Sequence, residues 1–163
     1  MREQETKYKQ EILKYISESF KVINFNKFNS IKKSTDYEDT HLSFDMSFTS
    51  NFNVSVRIRQ NKFKKYQDLT IRSKSENNGK TEIHKIKEGK AQVYFYAYEN
   101  KERTKLEQIN ICDVDIIREL YKRKKYKEQS NKYDNTKFMA FYFKDIKDIA
   151  NNSDMFFNTI ENF

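Results

Sequence analysis

Three neighbouring segments of the chain alternate apolar and polar side chains with a period of two, the pattern of a β-strand with one buried face. The segments cover residues 41–49, 53–60 and 68–72. They are joined by stretches rich in Asn, Ser and Lys, and the chain contains no proline. We therefore expect an antiparallel meander of three strands, with an apolar face in a core and a polar face on its other side.

The polar face of this predicted meander carries three arginines in a chain whose cations are mostly lysines. Arg57 and Arg59 alternate on the second strand, Arg72 ends the third, and Asp45 lies on the first. A planar guanidinium group forms paired hydrogen bonds with phosphate or carboxylate, which a lysine cannot do. The cluster therefore predicts an anion-binding site. The alternative is a solvent-exposed sheet face on which Asp45 pairs with one arginine for a small gain in stability.

The composition indicates one folded domain of 163 residues. Only 36% of the residues are hydrophobic, but aromatic residues reach 15%, and their large rings can supply the buried area of a core. The formal net charge of +8 fits a polyanionic partner such as nucleic acid. The single cysteine, Cys112, excludes an internal disulfide and a multi-cysteine metal site. The charged amino terminus and the lack of an apolar run of membrane length favour a cytoplasmic protein that does not span a membrane.

The rest of the chain predicts helices and strands in alternation. Thr81 is expected to cap a short helix bracketed by the chain's two glycines, and Asp113 or Asp115 to cap a later one. Apolar side chains on both faces of residues 92–99 predict a central strand covered on both sides. The other predicted elements are a first helix in residues 3–20, a strand at 106–111, a helix through 116–121, a last strand at 137–143 and a closing helix at 145–149. This order predicts an α+β fold, with a mixed, largely antiparallel sheet flanked by helices.

A basic run follows the predicted helix at 116–121. It consists of Lys122, Arg123, Lys124 and Lys125, followed by Tyr126 and Lys127. The helix dipole favours cations at a carboxyl terminus, and such runs are usually solvated. The alternative is contact with the phosphates of a nucleic acid.

Residues 36–120 combine these strands and helices in a distinctive order. The segments are 42–53 with Asp45, 54–59, 68–72, 80–86 and 94–98. Their order resembles that of phage and mobile-element proteins of the restriction-endonuclease-like, or PD-(D/E)XK, superfamily. The resemblance implies a four-stranded mixed sheet flanked by helices, and members of the superfamily typically cleave nucleic acid with a divalent metal. Within the single domain, residues 1–22 would form an N-terminal helix, and residues 121–163 a basic segment, a strand and a C-terminal helix.

The resemblance also implies a site for Mg²⁺ built from carboxylates on neighbouring elements. Asp45 stands where the superfamily has its first carboxylate, but segments 55–57 and 57–59 replace the usual acid-x-lysine pattern. Glu82 would then be the second metal ligand and Lys85 the catalytic cation. Further carboxylates precede the first strand: Asp36, Glu38 and Asp39. For each of these residues a role on the surface, such as a helix cap or an ion pair between Glu82 and Lys85, remains open.

Three functions fit these observations. The missing acid-x-lysine pattern favours a nucleic-acid-binding protein of phage or mobile-element origin with a degenerate nuclease-like site. Such a protein could act as an anti-defence inhibitor, similar to an anti-CRISPR protein, on a nucleic-acid-binding host protein. The second function is an active, Mg²⁺-dependent endonuclease or exonuclease, and the third a protein-interaction module without nucleic acid. The sequence does not distinguish DNA from RNA, and base rates alone favour a homodimer.

Overall fold

The computed structural model describes residues 7–22, 31–33, 46–48, 52–75, 79–131 and 135–161. The helices are α1 (Lys9–Val22), α2 (Glu82–Lys87), α3 (Val114–Lys122) and α4 (Phe143–Asn151), with a 3₁₀-helix at Asn61–Tyr66. The strands are β1 (Ile31–Lys33), β2 (Met46–Phe48), β3 (Phe52–Arg59), β4 (Asp68–Lys74), β5 (Val93–Glu99), β6 (Leu106–Asp113), β7 (Lys127–Ser130), β8 (Lys137–Tyr142) and β9 (Phe157–Glu161). Over these ranges, no helix is long and apolar enough to cross a membrane.

The larger of the two sheets in the described ranges is mixed, with the strand order β1-β2-β3-β5-β6-β9. β3 and β5 run parallel, and the other neighbouring pairs are antiparallel. A parallel pair needs a long connection, which here includes the 3₁₀-helix, β4 and α2. Every residue of β5 is buried, as predicted for a central strand.

The two faces of the larger sheet enter different cores. One face carries aliphatic residues and Phe95, which pack against Tyr8, Ile12 and Ile16 at the first helix. The other face carries Tyr94, Tyr96 and Tyr98 from β5. The second core contains these tyrosines together with apolar residues from both sheets, α2, α3 and α4. Both faces are therefore covered, because each contributes to a separate apolar cluster.

The smaller sheet has the order β4-β8-β7, and its strands are antiparallel. One of its faces enters the second core through Leu69, Ile71, Met139 and Phe141. Within the register, Arg72 lies opposite Phe138, so that both belong to the other face. This second face of the smaller sheet leads to the cavity described below.

The predicted α+β class with a mixed, largely antiparallel sheet is confirmed, whereas the predicted meander is wrong in its third strand. β2 pairs with β3 as expected, but β4 pairs with β8 in the smaller sheet. The 3₁₀-helix and the left-handed residue Gln67 (φ 48°) turn the chain out of the larger sheet before β4 begins. The strand predicted at 137–143 is not the last, because β9 pairs with β6 at the edge of the larger sheet.

An arginine-lined cavity as the candidate functional site

The three predicted arginines line one cavity of about 280 Å³, although they belong to different sheets. Arg57 and Arg59 come from β3 and Arg72 from β4. The remaining lining residues are Phe63, Thr70, Asn131, Thr136, Lys137 and Phe138. The prediction that the arginines share one face of one sheet is thus wrong, because β3 and β4 belong to different sheets. The fourth predicted member of the cluster, Asp45, lies outside the described residues.

Arg57 is held by a carboxylate from α2. Its Nη1 donates a hydrogen bond of 2.8 Å to Glu82 Oε2, and the two side chains are only 18% and 19% exposed. Burial lowers the pKa of Arg57, but the Glu82 carboxylate and the Tyr94 and Tyr96 hydroxyls together outweigh burial, so that the pKa of Arg57 is raised above its ordinary value. Arg57 therefore stays charged, and most of that charge is balanced by Glu82.

Arg59 contributes to the cavity wall through contacts on several sides. Its Nη1 donates hydrogen bonds to Thr70 Oγ1 (3.0 Å) and to the Tyr96 hydroxyl (3.2 Å). Its guanidinium carbon lies 4.0 Å from the centre of the Phe63 ring, within the range of a cation–π interaction. Asp68 Oδ1 is 3.9 Å from Nη1 and accepts no hydrogen bond. Arg59 is thus fixed in place, with a carboxylate near it but not hydrogen-bonded to it.

Arg72 differs from the other two arginines because its side chain is exposed. Its backbone N–H donates to Glu82 Oε2 at 3.2 Å, which fixes the main chain. Among the residues that the structure describes, its guanidinium group forms no hydrogen bond or ion pair. A nearby cation, Lys137, is 3.9 Å from the carboxylate of Glu128, a distance typical of a weak surface pair. Arg72 is therefore the lining cation whose guanidinium group has no partner among the described residues.

A row of buried tyrosines explains how polar side chains can lie between the sheets. The Tyr94 hydroxyl donates to Glu82 Oε1, the Tyr98 hydroxyl donates to the Asp68 carbonyl (2.7 Å), and the Tyr96 hydroxyl lies 3.1 Å from Thr70 Oγ1. Burial, together with nearby negative charge, raises the pKa of Tyr94 well above its ordinary value. The Tyr94 hydroxyl remains a protonated donor, and the three hydroxyls connect the larger sheet to α2 and β4.

The predicted metal ligands are only partly described. Glu82 and Lys85 lie one turn apart at the start of α2, and both are half-buried. The Glu82 carboxylate accepts hydrogen bonds from Arg57, Tyr94 and the Arg72 backbone, so Arg57 is a charged partner of Glu82. In the described ranges, no group of three or more Asp, Glu, His or Cys side chains is placed to hold a metal ion. The other candidate carboxylates, Asp36, Glu38, Asp39 and Asp45, lie outside those ranges.

The predicted basic run lies away from the cavity. Lys122 ends α3, and Arg123, Lys124 and Lys125 form an exposed turn before β7. The cavity lies at the other end of β7, because its lining residue Asn131 directly follows Ser130, the last residue of that strand. A strand of this length separates the two by about 13 Å at roughly 3.3 Å per residue. The run and the arginines are therefore separate basic surfaces.

Several cavity residues were not predicted from the sequence. Phe63 lies in the 3₁₀-helix, Thr136 directly precedes β8, and Lys137 and Phe138 begin β8, the strand that pairs with β4. The alternation of Lys and aromatic residues in segment 61–66 is a signal that could have identified Phe63. The role of Phe138 depends on the pairing of β4 with β8, a contact between distant parts of the chain that no local pattern reveals.

Comparisons of the chain with protein-family models, curated proteins and solved structures found no match. The resemblance to the restriction-endonuclease-like superfamily therefore stays a prediction.

Proposed function

We propose that this protein binds nucleic acid, with a backbone phosphate held in the arginine-lined cavity, and that it binds without cleaving. The observation that carries the proposal is the convergence of Arg57, Arg59 and Arg72 from two sheets on one cavity. Planar guanidinium groups are well suited to the oxygens of a phosphate. With a volume of about 280 Å³, the cavity is near the lower end of small-molecule pockets, which fits a phosphate with part of its nucleotide.

The charge balance of the cavity supports an anionic ligand. Four lining residues are cations, and three have a carboxylate near them: Glu82 beside Arg57, Asp68 beside Arg59 and Glu128 beside Lys137. Arg72 has no such partner among the described residues. Within the described part of the chain the cavity thus keeps one cation without a nearby carboxylate, and the net charge of +8 adds a long-range attraction for polyanions.

The aromatic side chains favour a nucleotide over a simple carboxylate ligand. Phe138 lies opposite Arg72 in the β4–β8 register, and both line the cavity. Phe63 lines it under the guanidinium group of Arg59. Rings beside cations are the combination that proteins use for single-stranded nucleic acid, since phosphates meet the cations and bases meet the rings.

Binding is favoured over metal-dependent cleavage because Glu82 is already engaged. For Glu82 to coordinate Mg²⁺, its ion pair with Arg57 and its contact with Tyr94 would have to rearrange. A carboxylate that neutralises a mostly buried guanidinium group is costly to release. The pairing therefore assigns Glu82 to holding Arg57 in the cavity wall.

The test is the affinity for fluorescein-labelled oligonucleotides, measured by fluorescence polarisation over a series of salt concentrations. Arg72→Ala removes the available cation and keeps the backbone hydrogen bond to Glu82. We expect weaker binding, with the slope of log affinity against log salt reduced by about 0.7 for a single strand or about 0.9 for a duplex. Lys101→Ala is the matched control, since it removes one charge from an exposed turn elsewhere.

Two further variants and one assay distinguish the alternatives. Arg123→Ala tests the basic run; a larger loss there than at Arg72 would place the nucleic acid on that run and overturn the proposed site. Mg²⁺-dependent cleavage that Glu82→Gln abolishes would establish a nuclease. An affinity unaffected by salt or by Arg72→Ala would leave the protein-interaction module as the explanation.

A further inference from the structure

The 3₁₀-helix carries a repeated pair of a cation and an aromatic ring. Lys62 precedes Phe63, and Lys65 precedes Tyr66. A 3₁₀-helix has three residues per turn, so side chains three apart lie above one another. Phe63 and Tyr66 therefore form an aromatic row, separated by about 6 Å at roughly 2 Å per residue.

The distances repeat along this row. Lys62 Nζ is 5.1 Å from the centre of the Phe63 ring, and Lys65 Nζ is 5.2 Å from that of Tyr66. Phe63 lines the arginine cavity, whereas Tyr66 is 53% exposed. In the part of the chain that the structure describes, Tyr66 is the one large hydrophobic side chain in the exposed class. The row thus runs from the cavity wall to the protein surface.

The helix is anchored to the larger sheet on its other side. Asn61 donates a hydrogen bond to Glu107 of β6, and Lys64 Nζ lies 3.5 Å from the same carboxylate. Gln67 ends the helix with a backbone hydrogen bond to Lys64. These contacts use Asn61, Lys64 and Gln67, whereas Lys62, Lys65 and Tyr66 are exposed. An aromatic ring on an anchored element loses little conformational freedom when a ligand stacks on it.

We propose that this 3₁₀-helix is a stacking platform for single-stranded nucleic acid, with an unpaired base on Tyr66, phosphates at Lys62 and Lys65, and the chain continuing into the arginine cavity. The inference rests on the proposed function and names its ligand class. The 6 Å spacing of the row corresponds to roughly two base steps of 3.4 Å. A duplex is a poor ligand for this platform, because its base faces are already covered by neighbouring bases.

The experiment uses two single-stranded ligands of equal length and charge, a fluorescein-labelled oligothymidylate and the same oligomer made entirely of abasic sites. Polarisation titrations with the intact chain are compared for the wild type, Tyr66→Ala and Tyr66→Phe. We expect the wild type to prefer the oligothymidylate. Tyr66→Ala should weaken that binding by between about fivefold and about 150-fold, the range of one base–aromatic stack, and leave abasic binding unchanged. Tyr66→Phe keeps the ring and should bind like the wild type.

The outcomes separate this inference from the proposed function. Equal wild-type affinity for both ligands, reduced by Arg72→Ala, would overturn the platform and support the cavity. An equal effect of Tyr66→Ala and Tyr66→Phe would also overturn it, because the hydroxyl and not the ring would then matter. Binding of neither single strand would overturn the platform, and failure to bind a duplex as well would overturn the proposed function. A preference for duplex DNA that Tyr66→Ala leaves intact would exclude the single-stranded ligand class.

Discussion

Replacing Glu82 by Gln tests how the cavity is held together. The substitution keeps the size of the side chain but removes the charge that accepts from Arg57 (2.8 Å), Tyr94 and the Arg72 backbone (3.2 Å). Removing one partner of a fully buried ion pair costs about 3–5 kcal/mol, whereas an exposed pair contributes about 0–1 kcal/mol. Because Arg57 and Glu82 are 18% and 19% exposed, we expect an intermediate cost of about 2–4 kcal/mol in the free energy of unfolding.

Urea denaturation followed by circular dichroism measures this change, and thermal unfolding provides a second reading. At roughly 2–4 °C per kcal/mol for a chain of this size, Tm should fall by about 4–16 °C. Glu119→Gln is the matched control, because Glu119 pairs with Arg123 on the surface and should cost less than about 1 kcal/mol. An unchanged or increased stability of Glu82→Gln would refute the reasoning. Removal of a carboxylate that serves binding or catalysis often stabilises a fold, so a gain would point back to a metal-binding role.

Two further predictions concern buried groups. Burial raises the pKa of Asp68, and the nearby Arg59 cation opposes this rise only in part. The folded state therefore holds the Asp68 proton more tightly than the unfolded state does, so the ionised carboxylate lowers the free energy of unfolding at a pH above the folded-state pKa. Asp68→Asn should therefore raise the free energy of unfolding at pH 7, as measured by urea denaturation, and the difference from the wild type should shrink as the pH falls toward the ordinary pKa of 3.8. A variant that is less stable than the wild type at pH 7 would contradict this. Cys112 is fully buried, and burial raises the pKa of its thiol. A disulfide reagent should therefore react slowly with Cys112 in the native chain and rapidly in denaturant. A rapid reaction with the native chain would show that this core opens readily.

Local patterns in the sequence predicted the elements whose signal lies within a few residues. The central strand β5, the strand β6 and the helix that Asp113 caps all follow from apolar spacing and capping chemistry. Thr81 begins α2 as predicted, although its partner is His84, whose Nδ1 accepts from the Thr81 backbone N–H at 3.3 Å. Such signals need no knowledge of distant contacts.

Strand pairing was the part that local patterns could not determine. Leu69 and Ile71 alternate in a way that fits either sheet, so the sequence does not show that β4 joins β8. β7 contains no apolar side chain, and β9 begins only after the last predicted helix, so neither gave a strong signal. The short 3₁₀-helix that redirects the chain likewise has no sequence pattern as strong as that of an α-helix.

The candidate site was predictable in its residue types but not in its geometry. The arginines stood out because guanidinium groups replace lysines at alternating positions of two strands. Their convergence depends on the two sheets packing around buried tyrosines, and their availability depends on which ones are paired. The sequence pattern does not rank the three arginines, whereas the structure singles out Arg72 as the one whose guanidinium group has no partner among the described residues.

The most direct test of the central claim is a crystal structure of the protein with a short single-stranded oligonucleotide. The account predicts a phosphate in the arginine-lined cavity, with an oxygen within about 3 Å of the Arg72 guanidinium group. An oligonucleotide bound along the basic run of residues 122–125, with the cavity empty, would contradict it.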